Sequence, residues 1–319
     1  MLELFHQLPW LFVGVAALVG LCVGSFSNVV IHRLPVSWDR ELTASVVEWA
    51  DLAIAQPELG LPRVPPGERA GFKPRLEDMA AMLRQLMGYL PKETISKPRS
   101  RCPTCGHGIT ALENIPVLSY VALRGKCSSC KTPISPRYPL IEVFCGLMAG
   151  LIAWRFGPTA QGAGALLLFF WLLPLALIDA ETTWLPNQVT LPLLWAGLLL
   201  NAFKVFAPLE EAVIGTVIGY LFLAIPAFTM EWLRKMDTNA MGRGDFVLMA
   251  LAGAWFGWSA ILPVALLSSC VGVAVYVPMR MAGLRDQASK IPFGPYIAGA
   301  TIAYLFFGAW LKEYLGLPF

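Results

Sequence analysis

The stretch ALLLFFWLLPLALIDAETTWLPNQVTL, Ala165–Leu191, decides the fold. It begins as an apolar run that Asp179 closes, and a second apolar run starts within ten residues. A later stretch, MGRGDFVLMALAGAWFGW, Met241–Trp258, is arranged the other way round, with Asp245 opening the apolar run. Runs of this kind are stable in hydrocarbon, and a carboxylate at the edge of one is expensive enough to need a reason.

The rest of the chain has the same character. Of 319 residues, 56% are hydrophobic and 14% charged, with a mean hydropathy of +0.61, outside the range of soluble globular domains. Apolar segments that approach or reach spanning length run over 8–32, 139–154, 163–179, 187–206, 211–233, 245–258, 259–279 and 293–315. They predict an all-α polytopic membrane protein of about eight transmembrane helices. The sixth is short and separates from the seventh near Trp258-Ser259. The first is too long for a signal-peptide core and lacks a basic region and a cleavage site, so it reads as a retained helix. The chain divides into a first transmembrane helix (8–32), a cytoplasmic domain (33–137) and a membrane core of about seven helices (138–319).

Basic residues set the orientation. Residues 33–137 carry fifteen of the 24 lysines and arginines. With that side cytoplasmic, Arg234, Lys235, Arg243, Arg280, Arg285 and Lys290 also face the cytoplasm, and Arg155, Lys204 and Lys312 lie outside. Twenty-one against three is a strong positive-inside bias. It predicts both termini outside and both aspartates at cytoplasmic helix ends. The net charge of +3 follows from this topology and calls for no nucleic-acid partner.

Within the cytoplasmic segment, residues 38–100 are rich in proline and charge. RLEDMAAMLRQLMGYL (Arg75–Leu90) sets Leu76, Met79, Leu83, Leu86 and Leu90 at helical spacing, which predicts an amphipathic helix against the domain or the membrane surface. The sharper signal follows. Cys102 and Cys105 form one C-x-x-C, Cys127 and Cys130 another, with twenty-one residues between them. Two such turns make a tetrahedral four-sulfur site suited to structural zinc, with no coordination position left open for a substrate. Cys22, Cys145 and Cys270 fall inside spans and read as small packing residues.

Few other residues can carry chemistry. The histidines are His6, His32 and His107, there is no H-E-x-x-H or G-x-S-x-G, and Gly242-Arg243-Gly244 lacks a dinucleotide context. The carboxylates remain. Two aspartates sharing a proton can hydrolyse a peptide bond, one drawing a proton from water while the other donates to the carbonyl. The dipole at the C-terminal end of its helix opposes charge on Asp179, and the dipole at an N-terminal end favours it on Asp245. The expected split is therefore a protonated Asp179 and a charged Asp245. Gly242 and Gly244 would let an extended peptide approach closely. Glu142, at another cytoplasmic helix end, is a candidate supporting residue. The alternative is that both aspartates merely cap their helices.

The sequence resembles the type IV prepilin peptidases, membrane aspartic proteases of the GxGD type. The resemblance is carried by GSFSNVVIHRLP (Gly24–Pro35), the tetracysteine block with ENIPVLSY and LRGKCSSC, ISPRYPLIE (Ile134–Glu142), IDAETTWLPNQVTLPLLW, MGRGD and IPFGPYIA (Ile291–Ala298). It implies that Asp179 and Asp245 are the catalytic pair, and that Cys102, Cys105, Cys127 and Cys130 bind zinc. It also implies an enzyme of the bacterial inner membrane whose active site faces the cytoplasm. Such an enzyme cuts the basic leader of prepilins and type II secretion pseudopilins after glycine, then methylates the new amino terminus with S-adenosylmethionine. No nucleotide-binding signature marks a site for that donor. Where the family usually has G-x-G-D-x-K, Val247 replaces the lysine. Two residues apart on a helix, that position points away from Asp245, toward another helix, the lipid or a substrate. The rival readings are a non-enzymatic transporter or assembly scaffold with a zinc-stabilised domain, and a peptidase without methyltransferase activity.

Overall fold

The computed structural model describes residues 5, 8–61, 63–234, 242–283 and 292–315. His6, Lys235, Met241, Arg285, Lys290 and Ile291 lie outside the described residues. Helices α1 (Pro9–Ala55), α2 (Pro57–Gly60), α3 (Pro66–Tyr89) and α4 (Leu118–Ala122) precede the membrane core. The core contains α5 (Arg137–Phe156), α6 (Ala160–Thr182), α7 (Asn187–Ala202), α8 (Leu209–Arg234), α9 (Arg243–Phe256), α10 (Ile261–Met281) and α11 (Gly294–Leu315). Among the described residues six helices are long and apolar enough to cross a membrane: α1, α5, α6, α8, α10 with the turn before it, and α11. The remaining two apolar segments form the shorter α7 and α9, of 16 and 14 residues. The boundary between the sixth and seventh segments, expected near Trp258-Ser259, falls at Gly257, which ends α9 with φ +81°. A single 3₁₀ turn, Trp258–Ala260, then leads into α10.

The chain forms two compact units, residues 29–109 and the remainder. In the smaller unit the first helix does not stop where the first apolar segment ends at residue 32. Instead α1 continues through Pro35 to Ala55. The reason is a second apolar stripe: Val47, Ala50 and Ala53 are buried at helical spacing, and Ala53 packs with Leu61 and Leu76. A methyl group on Gly60 would lie 2.3 Å from the Ala53 Cα, so glycine is what lets the chain fold back there. The expected amphipathic helix exists but starts earlier, at Pro66. Its stripe is inward only at the start, since Leu76 is buried while Leu86 is exposed. Buried Arg33 donates to the carbonyls of Thr94 (3.1 Å) and Pro98 (2.7 Å), which holds the 94–98 segment to α1.

In the larger unit, small residues set how closely helices approach, as in other membrane bundles. Gly20 and Gly24 of α1 lie against Cys145, Ala149 and Glu142 of α5, and Gly146 returns the contact to Leu21. The centre is α9, with eleven of its fourteen residues buried. On one side Gly253 meets the backbone of Gly215 in α8, and Gly219 meets Met249 and Ala250. On the other, the Trp255 indole covers Gly197 of α7 and donates to the Leu193 carbonyl at 2.9 Å. Buried Asn201 finishes the join: its amide donates to the carbonyls of Ala254 and Trp255, and its oxygen accepts from Phe206 and Ala207. Cys145 is buried as a packing residue, but Cys22 and Cys270 are exposed on helix faces, contrary to the expectation for them.

A methyl group on Gly215 would sit 2.6 Å from backbone atoms of Gly257 and Trp258, which cannot move aside singly. Gly215→Ala should therefore cost about 1–3 kcal/mol, read as a lower midpoint of thermal unfolding in detergent. Gly14→Ala, which would meet nothing within 4 Å, should leave the midpoint in place.

Candidate functional site

Asp179 stands in the last turn of α6, which ends when Thr183 turns left-handed (φ 53°, ψ 33°) and its N–H donates to the Asp179 carbonyl at 2.8 Å. Asp245 is the third residue of α9, and its N–H donates to the Gly242 carbonyl. These helix ends come to one place. Leu185, buried in the link after α6, contacts the positions where methyl groups would stand on both Gly244 and Gly294. Gly294, the first residue of α11, donates its N–H to Asp179 Oδ2 at 3.0 Å. The two side chains are 4% and 6% exposed, and the carboxylates are close enough to act on each other electrostatically. Asp245 Oδ1 is buried and finds no hydrogen-bond partner among the described residues.

This arrangement alters the one-helix argument for the charge split. Asp179 does lie at a C-terminal end, but it also accepts the first amide of α11, and an N-terminal end contributes the opposite dipole. The asymmetry between the aspartates therefore no longer follows from α6 and α9 alone. Gly294 lies within IPFGPYIA, but a backbone N–H donated across 115 residues leaves no local pattern in a sequence. Leu185, whose side chain packs against two glycines far along the chain, leaves none either.

The proposed accessory residues fall in different surroundings. Gly244 is taken up by packing, since a methyl group there would be 2.6 Å from the Leu185 Cβ. Gly242 remains exposed, and a methyl group on it would stand 3.5 Å from Asp245 Oδ2. Glu142 lies buried against Gly24, and its Oε2 accepts the Val117 N–H at 2.7 Å. The α5 and α6 ends are also joined by an ion pair between Arg137 and Glu181. Val247 is half-buried on a helix whose next nine residues are buried.

The cysteines form two turns of one design. In the first, Cys102 N–H donates to the His107 carbonyl at 2.9 Å and Gly106 N–H donates back to Cys102, with Gly106 at φ +71°. In the second, Cys127 N–H donates to Thr132 at 2.9 Å and Lys131 N–H donates back to Cys127, with Lys131 at φ +61°. Each turn is closed by a single bridge, Arg101 with Gly108 and Lys126 with Pro133. The four sulfur atoms form a cluster in which all lie within 4.8 Å of one another. Tetrahedral zinc with bonds near 2.3 Å would set them about 3.8 Å apart, so this donor set fits the metal.

Comparison with known proteins bears on the whole length. The family described as Bacterial Peptidase A24 N-terminal domain matches residues 18–156, and the Type IV leader peptidase family matches residues 166–277. A prepilin leader peptidase/N-methyltransferase of Stutzerimonas stutzeri is 43% identical over 309 residues, 96% of this chain and 94% of the relative. Proteins of the same description from Pseudomonas aeruginosa and Aeromonas hydrophila are 42% and 41% identical, each match covering 97% of this chain and 94% and 95% of the relative. No solved structure gives a significant match.

Proposed function

We propose, from the premise that this chain belongs to the type IV leader peptidase family, that Asp179 and Asp245 are the catalytic pair of a membrane prepilin peptidase. The enzyme removes the basic leader of prepilins and pseudopilins after glycine and then methylates the exposed amino terminus. The observation that carries the assignment is the meeting of the two buried carboxylates at the ends of α6 and α9, beside the first amide of α11.

The chemistry follows from that meeting. The ionised carboxylate takes a proton from a water molecule, whose oxygen attacks the carbonyl carbon. The protonated partner donates to the carbonyl oxygen, so no net charge has to develop in the buried site. Collapse of the tetrahedral intermediate breaks the C–N bond: the first aspartate returns its proton to the departing amine, and the second regains its own from the hydroxyl whose C=O bond re-forms. The Gly294 N–H fixes one oxygen of Asp179. That leaves the other oxygen of Asp179 and Oδ1 of Asp245 to face the reactants. Gly242, exposed beside Asp245, is where a substrate backbone approaches.

The same reading takes α7 and α9 as crossing the membrane beside the six longer helices, eight spans in all. Gly257, at the far end of α9, lies against Glu211 in the first turn of α8, so this short helix reaches from Asp245 to the opposite end of its neighbour. The distribution of lysine and arginine supports an inner-membrane orientation with both aspartates on the cytoplasmic side. Residues 33–137 are then the cytoplasmic domain, and zinc held by Cys102, Cys105, Cys127 and Cys130 is its structural staple. S-adenosylmethionine supplies the methyl group when bound, and the new amino terminus is the group it modifies.

Asp179→Asn and Asp245→Asn should each lower leader cleavage about 10³-fold or more, with the double variant scarcely worse than either single one. Cleavage of a prepilin in detergent, followed by mass spectrometry of the product amino terminus, checks this. Near-normal cleavage by either variant would remove that residue from the pair.

Elemental analysis of purified protein should find one zinc per chain, falling when Cys102 or Cys127 becomes serine. Loss of the metal should destabilise the cytoplasmic domain, because binding to such a site is largely folding free energy. Metal-free protein with that domain intact would refute the staple.

Val247→Lys should change turnover or substrate affinity with little movement of the pH profile, because the side chain at 247 diverges from Asp245 along the helix. Rate curves against pH for both forms on one prepilin decide the point. A displacement of about one pH unit, roughly 1.4 kcal/mol of differential charge stabilisation, would show that a cation at 247 acts on the aspartates.

A further inference from the structure

The segment ALENIPVLSYVALRG, Ala111–Gly125, separates the two cysteine pairs, and its apolar side chains do not pack inward. Leu112, Leu118 and Val121 are 77%, 68% and 67% exposed. Three large apolar groups on one short loop mark a contact surface. The hydrogen bond from Val117 to Glu142 fixes the level at which that surface lies.

Helix α5 has 20 residues, about 30 Å, which matches the hydrocarbon thickness of a bilayer. Glu142 is five residues in from Arg137, roughly 7–8 Å along the helix from its first residue. The Val117 N–H reaches the Glu142 carboxylate at 2.7 Å, so the loop tip lies beside the second turn of a membrane-spanning helix. Leu140, on that part of α5, presents a 66% exposed side chain at the same level.

Backbone geometry fits this placement. Val117 adopts φ 61°, ψ −47°, and Leu118 N–H donates to the Pro116 carbonyl at 2.6 Å, forming a tight γ-turn that is strained for a β-branched residue. The strain is held where an otherwise costly buried carboxylate gains a donor. The flanking backbone is bonded locally: Asn114 and Ile115 donate to Ala111 and Leu112 across a 3₁₀ turn at Leu112–Asn114, and Ser119, Val121 and Leu123 donate to the carbonyls of Ile115, Val117 and Ser119. The backbone of such a segment can enter an apolar boundary without stranding these N–H groups, and Glu113 and Asn114 place polar side chains on its headgroup side. Exposed Arg124 and Lys126 follow at once, suited to lipid phosphates.

We propose that residues 112–121 form a membrane-contacting tip that seats Leu112, Leu118 and Val121 at the acyl–headgroup boundary of the leaflet at the Arg137 end of α5. Glu142 is its positioning residue, holding the tip at that depth through Val117. The occupant of the apolar surface is lipid, argued from the depth of the Glu142 contact and the basic residues beside the tip.

The test places benzoylphenylalanine at Leu118, at Val121, or at exposed Asp78 as a control, in protein reconstituted into phosphatidylethanolamine–phosphatidylglycerol vesicles. After irradiation, mass spectrometry should find lipid adducts at 118 and 121 several-fold above those at 78. Lipid adducts no more frequent than at 78, or crosslinks to protein in their place, would overturn the proposal. Glu142→Ala should lower the adduct yield at 118 several-fold, whereas Glu142→Gln, which keeps an acceptor for the Val117 N–H, should retain it. Equal yields in all three forms would overturn the role of Glu142, and the lipid contact is judged on the unsubstituted Glu142 protein alone.

Discussion

The membrane core depends on the close approach of α8 and α9, where Gly215, Gly219 and Gly253 bring two backbones into contact. Lipid chains are as apolar as leucine, so burying a leucine against another helix gains little over leaving it in the bilayer. Helices in this setting are held by packing and by the few polar groups that would otherwise be stranded. The glycine contacts supply the first. Asn201 supplies the second, joining the end of α7 to the end of α9 through two hydrogen bonds and to the following link through two more.

That join sits at the end of α9 remote from Asp245, and it allows a helix of only 14 residues to serve as the centre of the bundle. A short, buried, tightly gripped helix presents its first turn at a fixed position. Asp245 is in that turn, and Asp179 is brought to meet it by the end of α6 and the first amide of α11. The carboxylates are therefore placed by helix ends rather than by a mobile loop, and reactive groups gain geometric precision from supports of that kind.

Much of this was legible along the chain. The core helices begin and end within a few residues of the apolar segments, as α5 (Arg137–Phe156) against 139–154 and α9 (Arg243–Phe256) against 245–258 illustrate. The two cysteine turns were equally plain, because spacing and a residue at positive φ define them locally. The continuation of α1 to Ala55 was not. The apolar run ends at residue 32, and the stripe formed by Val47, Ala50 and Ala53 gains meaning only with α3 against it.

By itself the sequence determined the apolar segments, the side of each carrying positive charge, the helix ends on which the two aspartates stand and the paired cysteine turns. Each rests on a free energy that a residue and its near neighbours set among themselves: transfer into hydrocarbon, charge at a membrane face, a helix end, a tight turn. Tertiary structure alone decided which ends meet. It assigned the Gly294 amide to Asp179, spent Gly244 on Leu185 and tied Glu142 to Val117. Those contacts join residues far apart in the chain through backbone groups and missing side chains, and neither leaves a periodicity for a sequence to display.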